Sequence, residues 1–109
     1  MTHDHSLVAE MVRRGELSSR EASRHPNKNV ITRALGVESN VSCDVFPLSL
    51  KKGQYVLLCS DGLTNEVSEP EIYYEVFQSQ APERACDTLI EIARSRGGHD
   101  NITVVLASF

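Results

Sequence analysis

Apolar residues recur along this chain first at helical and then at strand spacing. Leu7, Val8, Met11 and Val12 fall three and four apart, which predicts a helix over residues 5–14 that Gly15 ends. Ser18 followed by Glu21 is a capping-box pattern and predicts a short second helix, stopped by His25-Pro26-Asn27. Val41 to Leu50 carries Val45, Phe46, Leu48 and Leu50 and predicts a strand, with Pro47 marking it as an edge or bulged one. Lys51-Lys52-Gly53-Gln54 is a tight turn into the apolar run Tyr55-Val56-Leu57-Leu58-Cys59, so the two segments together predict a hairpin. Ser68-Glu69-Pro70-Glu71 opens a helix expected to bury Ile72 and Val76, with Tyr73 and Phe77 beside them. Pro82 opens the longest helix, which reaches about Arg96 on a stripe of Ala85, Leu89, Ile92 and Ala93 and ends at Gly97-Gly98. Ile102-Thr103-Val104-Val105-Leu106-Ala107 is a last strand.

Composition narrows the classes. The 109 residues fit one domain, with a thin stability margin. A net charge of −4 argues against a nucleic-acid binder, which would show a basic face; Arg13-Arg14 and Lys51-Lys52 read as solvated surface. Cys43, Cys59 and Cys86 are odd in number and lack Cys-x-x-Cys spacing, which disfavours a disulfide framework and a zinc site. Free thiols suit a reducing compartment. No apolar stretch approaches the ~20 residues of a membrane span, and Met-Thr-His-Asp-His is no signal peptide. The expectation is a cytoplasmic protein that binds neither membrane nor nucleic acid.

The candidate chemistry lies in two aspartates. Asp61 follows one apolar strand and Asp100 precedes the other. If these strands pair antiparallel, both carboxylates converge at one end of a sheet. Their mutual repulsion would be relieved by a hard divalent cation. The bland alternatives are plain. Asp-Gly is a common turn dipeptide, and Asp100-Asn101 after two glycines can simply shape a loop. His99 reads as a loop residue, because a hard-cation site wants oxygen. Asp4-His5-Ser6 holds the three residue types of a catalytic triad, but consecutive residues cannot form that geometry. A cap on the first helix is the better account.

These residues also carry a family resemblance. Ser60-Asp61-Gly62-Leu63-Thr64 and Gly97-Gly98-His99-Asp100-Asn101-Ile102-Thr103 resemble the last two metal-binding motifs of the metal-dependent (PPM), type 2C, protein serine/threonine phosphatases. Thr2-His3-Asp4-His5-Ser6-Leu7-Val8 resembles the segment before the flap of bacterial members, and Asn29-Val30-Ile31-Thr32-Arg33-Ala34-Leu35-Gly36 the flap's end. The resemblance implies an α+β fold: the carboxy-terminal half of an αββα sandwich with antiparallel sheets, a single partial domain over residues 1–109 with a flap at about 15–36. A plain surface excursion would look the same there. It further implies hydrolysis of phosphoserine and phosphothreonine by a two-metal mechanism, with Asp61 and Asp100 as ligands of one Mg²⁺ or Mn²⁺ ion, bound weakly or not at all by this chain alone. Gly62 and Asn101 would support the metal loops, Asn101 and Thr103 through side-chain bonds to the loop backbone. Arg33 would be either a substrate contact from the flap or a member of a structural ion pair.

The departure counts as much. The family's amino-terminal half carries a metal-bridging Asp-Gly motif and a phosphate-binding Arg, and neither has a counterpart here. The chain is therefore expected to be inactive alone and to pair with a complementary amino-terminal half or with itself, phosphoproteins being the substrates of the full enzyme. The alternative is a non-catalytic regulatory or protein-binding module derived from such a phosphatase.

Overall fold

A computed structural model describes residues 2–109. They form two compact units, the first ending at Leu48 and the second spanning Ser49–Phe109.

In the first unit, helix α1 covers Leu7–Arg13 and helix α2 covers Ser19–Ala22. Both start on serine. The buried Ser6 hydroxyl donates to Asp4 Oδ2 (2.6 Å) and accepts from the Ala9 N–H (3.2 Å), so Asp4-His5-Ser6 is a helix cap. Ser18 and Glu21 form the expected capping box. Of the predicted α1 stripe only Val8 is buried. The strand expected over Val41–Leu50 does not form, and all of these residues are exposed. A strand exists through its ladder, and no ladder reaches this segment among the described residues. Without a partner, ordering an extended chain has no hydrogen-bonding gain to offset its entropy. The hairpin with Tyr55–Cys59 is absent for the same reason. Side chains hold the segment instead. Arg33 donates to the Ser42 carbonyl (3.1 Å) and to Asp44 Oδ1 (3.0 Å), and His5 Nε2 meets Asp44 Oδ2 at 2.7 Å. Arg33 first, then His5, hold the Asp44 carboxyl below its ordinary range.

The second unit is built in the order β1 (Tyr55–Cys59), α3 (Asp61–Thr64), α4 (Glu69–Gln78), α5 (Pro82–Ser95) and β2 (Val104–Ser108). The strands form a two-stranded antiparallel sheet with Tyr55 opposite Ser108, Leu57 opposite Leu106 and Cys59 opposite Val104. The core is Leu63, Val67, Ile72, Val76, Ala85, Leu89 and Ala93, with Leu57, Ile92, Val104 and Leu106 packed on it. The α5 stripe is thus the predicted one. The other sheet face carries Val56, Leu58, Val105 and Ala107, of which Leu58 (62%) and Val105 (54%) stay exposed, directly opposite one another. Tyr73 and Phe77 are also exposed, contrary to expectation. Each sits one residue, about 100°, round α4 from the buried Ile72 and Val76. They stack on each other at 4.4 Å, and Tyr55 meets Phe77 edge-on at 5.5 Å. No helix among the described residues is long and apolar enough to cross a membrane.

One ion pair ties the start of α4 to the end of α5. Arg96 grips Glu71 with both terminal guanidinium nitrogens (3.0 and 2.6 Å), and the Ser68 N–H and hydroxyl add to Glu71 Oε2. Arg96 first, then Ser68, hold the Glu71 carboxyl far below its ordinary 4.5. A folded-state value below the unfolded one stabilises the fold at pH above the ordinary value, and that contribution fades as acid protonates Glu71 in the folded state. Glu71→Gln should therefore lower the urea midpoint at pH 7, with the gap to wild type narrowing steadily below about pH 4. Parallel urea curves at pH 7 and pH 3 check this; an equal gap at both would show that the pair contributes no proton-linked stability.

Candidate functional site

The junction where β1 ends and β2 begins is built around Ser60. Its N–H extends the ladder to the Thr103 carbonyl (3.0 Å). Its hydroxyl donates to the Asn101 carbonyl (3.0 Å) and accepts from the Thr103 N–H (3.0 Å). One side chain thus closes the sheet end across both chain segments. The support expected from the side chains of Asn101 and Thr103 comes from their backbone groups, and Ser60 provides the side chain. Gly62 completes the closure: a Cβ there would lie 2.2 Å from the Asn101 carbonyl oxygen and 2.9 Å from its carbon. Only a residue without a side chain allows this approach.

Asp61 and Asp100 flank that junction. Asp61 is the first residue of α3, a turn of helix that the Asp-Gly dipeptide did not announce. Its carbonyl accepts from the Asn65 N–H at 2.8 Å. Asp100 ends the loop after α5, and its Oδ1 accepts from the Asn101 N–H at 2.7 Å. Both aspartates are exposed, and among the described residues neither is in an ion pair. Free carboxylate oxygens at one sheet end are donors a hard cation would accept. They make up only part of a shell. Among the described residues no three His, Cys, Asp or Glu side chains group closely enough to hold a metal ion. Arg33 belongs to the first unit, where its guanidinium is engaged by Asp44.

Glu66 and His99 were not read as a pair in the sequence. His99 Nδ1 meets Glu66 Oε1 at 2.6 Å, and the Glu66 carbonyl accepts from Arg96 at 2.8 Å. The signal was faint, since thirty-three residues separate them.

Known proteins place this arrangement. Residues 12–109 match a model of the family described as Stage II sporulation protein E (SpoIIE). The serine/threonine phosphatase stp of Listeria monocytogenes serotype 4b is 46% identical over 106 residues, 97% of this chain and 42% of that protein. The crystal structure of serine/threonine phosphatase Stp1 from Staphylococcus aureus superposes with a TM-score of 0.93 at 37% identity, over 100% of this chain and 43% of that one. The catalytic domain of the serine/threonine phosphatase PstP, solved with 2 manganese ions, gives a TM-score of 0.80 at 34% identity, over 99% and 44%. The chain spans less than half the length of these relatives. Its fold is α+β and corresponds to the carboxy-terminal half of the metal-dependent (PPM), type 2C, serine/threonine phosphatase fold. The chain belongs to the Stage II sporulation protein E (SpoIIE) family, within the type 2C phosphatases.

Proposed function

We propose that this chain supplies the carboxy-terminal share of a protein serine/threonine phosphatase site, holding a divalent metal through Asp61 and Asp100, with Gly62 and Asn101 fixing the two metal loops. The observation that carries the reading is the Ser60 junction, which makes both aspartates leave one end of the sheet. The all-oxygen donors suit Mg²⁺ or Mn²⁺ rather than zinc, and a relative of this chain was solved with manganese. Such a metal, when bound, would neutralise phosphate charge and lower the pKa of a coordinated water. The chain's own part is narrower: it presents two carboxylates on a closed backbone frame.

Residues 15–36 form the flap, and Arg33, paired with Asp44, serves there in a structural ion pair rather than as a substrate contact. The free outer sheet face, with Leu58 and Val105, receives a complementary amino-terminal half of the same fold, or a second copy of the chain. The free thiols Cys43, Cys59 and Cys86 suit the cytoplasm.

With two carboxylates and few other donors, Mn²⁺ binding by this chain should be weak, with a Kd on the order of 10⁻⁴ to 10⁻³ M. Asp61→Asn and Asp100→Asn should each weaken it further, and the double variant should abolish it. Water-proton relaxation during a Mn²⁺ titration measures this. A relaxation enhancement that survives both substitutions would place the ion elsewhere and sink the assignment.

A further inference from the structure

The loop that carries Asp100 is held on both flanks by the segment that carries Asp61. On the far side of Asp100, the Ser60 hydroxyl bonds the backbone of Asn101 and Thr103. On the near side, the Glu66 carboxylate takes the His99 ring at 2.6 Å. The Glu66 side chain is only 15% exposed, against 77% for His99, so the carboxylate is the fixed partner and the ring comes to it. A carboxylate only accepts, so Nδ1 carries the proton of this bond. The backbone of Glu66 is pinned as well, by Arg96 at its carbonyl. Gly97 makes room for the ring: a Cβ there would lie 2.2 Å from His99 Cε1. The chain thus folds the imidazole back over a glycine to reach an acid five residues beyond Asp61.

We infer that Glu66 is a positioning residue for the Asp100 carboxylate, acting through His99; the inference rests on the metal-site reading of Asp61 and Asp100. A group that orients a metal ligand from behind typically changes metal affinity by tenfold or more when removed. Gly97 and Gly98 bond back to the Arg94 and Ala93 carbonyls at the end of α5 (3.2 and 3.1 Å), so His99 is the link between that anchor and Asp100, and the Glu66–His99 bond fixes it. The Asn101 N–H, bonded to Asp100 Oδ1, reports where that carboxylate sits even without metal.

The test compares the 109-residue chain with its Glu66→Ala, Glu66→Gln and His99→Ala variants. In the metal-free chains, exchange of the Asn101 amide is followed by NMR; Mn²⁺ alone is then titrated by water-proton relaxation. Glu66→Ala is expected to speed Asn101 exchange and weaken Mn²⁺ binding, each about tenfold. His99→Ala, which leaves the Glu66–Arg96 backbone bond in place, is expected to do the same. Glu66→Gln keeps an acceptor oxygen and is expected to restore both readings to within about twofold of wild type. A loss of general stability alone would not be rescued by glutamine in this paired way. Wild-type Mn²⁺ affinity in Glu66→Ala or His99→Ala overturns the role of Glu66, as does a glutamine variant that behaves like alanine. A wild-type chain that gives no relaxation enhancement overturns the metal reading of Asp61 and Asp100, and the role of Glu66 falls with it.

Discussion

Purified alone and given Mn²⁺ with para-nitrophenyl phosphate or a phosphothreonine peptide, this chain should show no metal-dependent turnover. Adding a separately produced amino-terminal half of a type 2C phosphatase should raise the rate by several orders of magnitude. In-line displacement of phosphate needs a metal pair clamped between the attacking and leaving oxygens. Two aspartates on one sheet end cannot fix a pair, and among the described residues no third acidic, histidine or cysteine side chain joins them. The guanidinium expected to reach substrate, Arg33, is already bonded to Asp44 and the Ser42 carbonyl. Phosphoryl transfer owes most of its rate to positioning and charge stabilisation, so a site lacking those parts forfeits most of its acceleration. The exposed pair Leu58 and Val105 gives the added half a surface to cover. Steady-state assays of each half and of the mixture decide the matter. Robust turnover by this chain alone would refute the shared-site reading, and a mixture as silent as its parts would remove the complementary partner.

Gly62→Ala should strongly destabilise the second unit. The new Cβ would stand 2.2 Å from the Asn101 carbonyl oxygen, backbone against backbone, so no side chain can turn aside to admit it. Either α3 lifts off the loop or the loop leaves the strand end, and both break the Ser60 bonds to Asn101 and Thr103. Overpacking of this kind costs about 3 kcal/mol, and more where backbone must move. For a domain this small that is a loss on the order of 15 °C in Tm. Thermal melts followed by circular dichroism measure it. A melting temperature within about 2 °C of wild type, a shift worth only a few tenths of a kcal/mol, would mean that the junction is not closed in solution.

The parts of this fold that were legible in the sequence are those that the chain decides locally. Helices α4 and α5 announce themselves through Ser68, Pro82 and a stripe of Ala85, Leu89 and Ala93, because cap and period lie within a few turns. Tyr73 and Phe77 were misplaced because one residue of helix is enough to carry an aromatic ring from core to solvent, where the two rings shelter each other. The strand at Val41–Leu50 was misread because apolar residues show only that a segment could pair; whether a ladder partner exists lies elsewhere in the chain. The site divides in the same way. That Asp61 and Asp100 leave adjoining strand ends followed from two apolar runs and antiparallel pairing. Ser60 bridging to Asn101 and Thr103, and Glu66 reaching His99, are contacts between residues far apart in sequence, and no spacing rule announces them.

The two strands that bring the aspartates together bracket all the helices of their unit. Between Cys59 and Val104 lie α3, α4 and α5. Synthesis runs from amino to carboxy terminus, so the helices leave the ribosome before the residues that β1 must pair with. Tyr55–Cys59 has no other ladder partner among the described residues, so within this stretch the pairing that brings Asp61 to the entry of β2 waits until Val104–Ser108 has been made. A product of this stretch that ends after Asp100 but short of Val104–Ser108 would carry both aspartates in its sequence yet lack the ladder that sets them side by side.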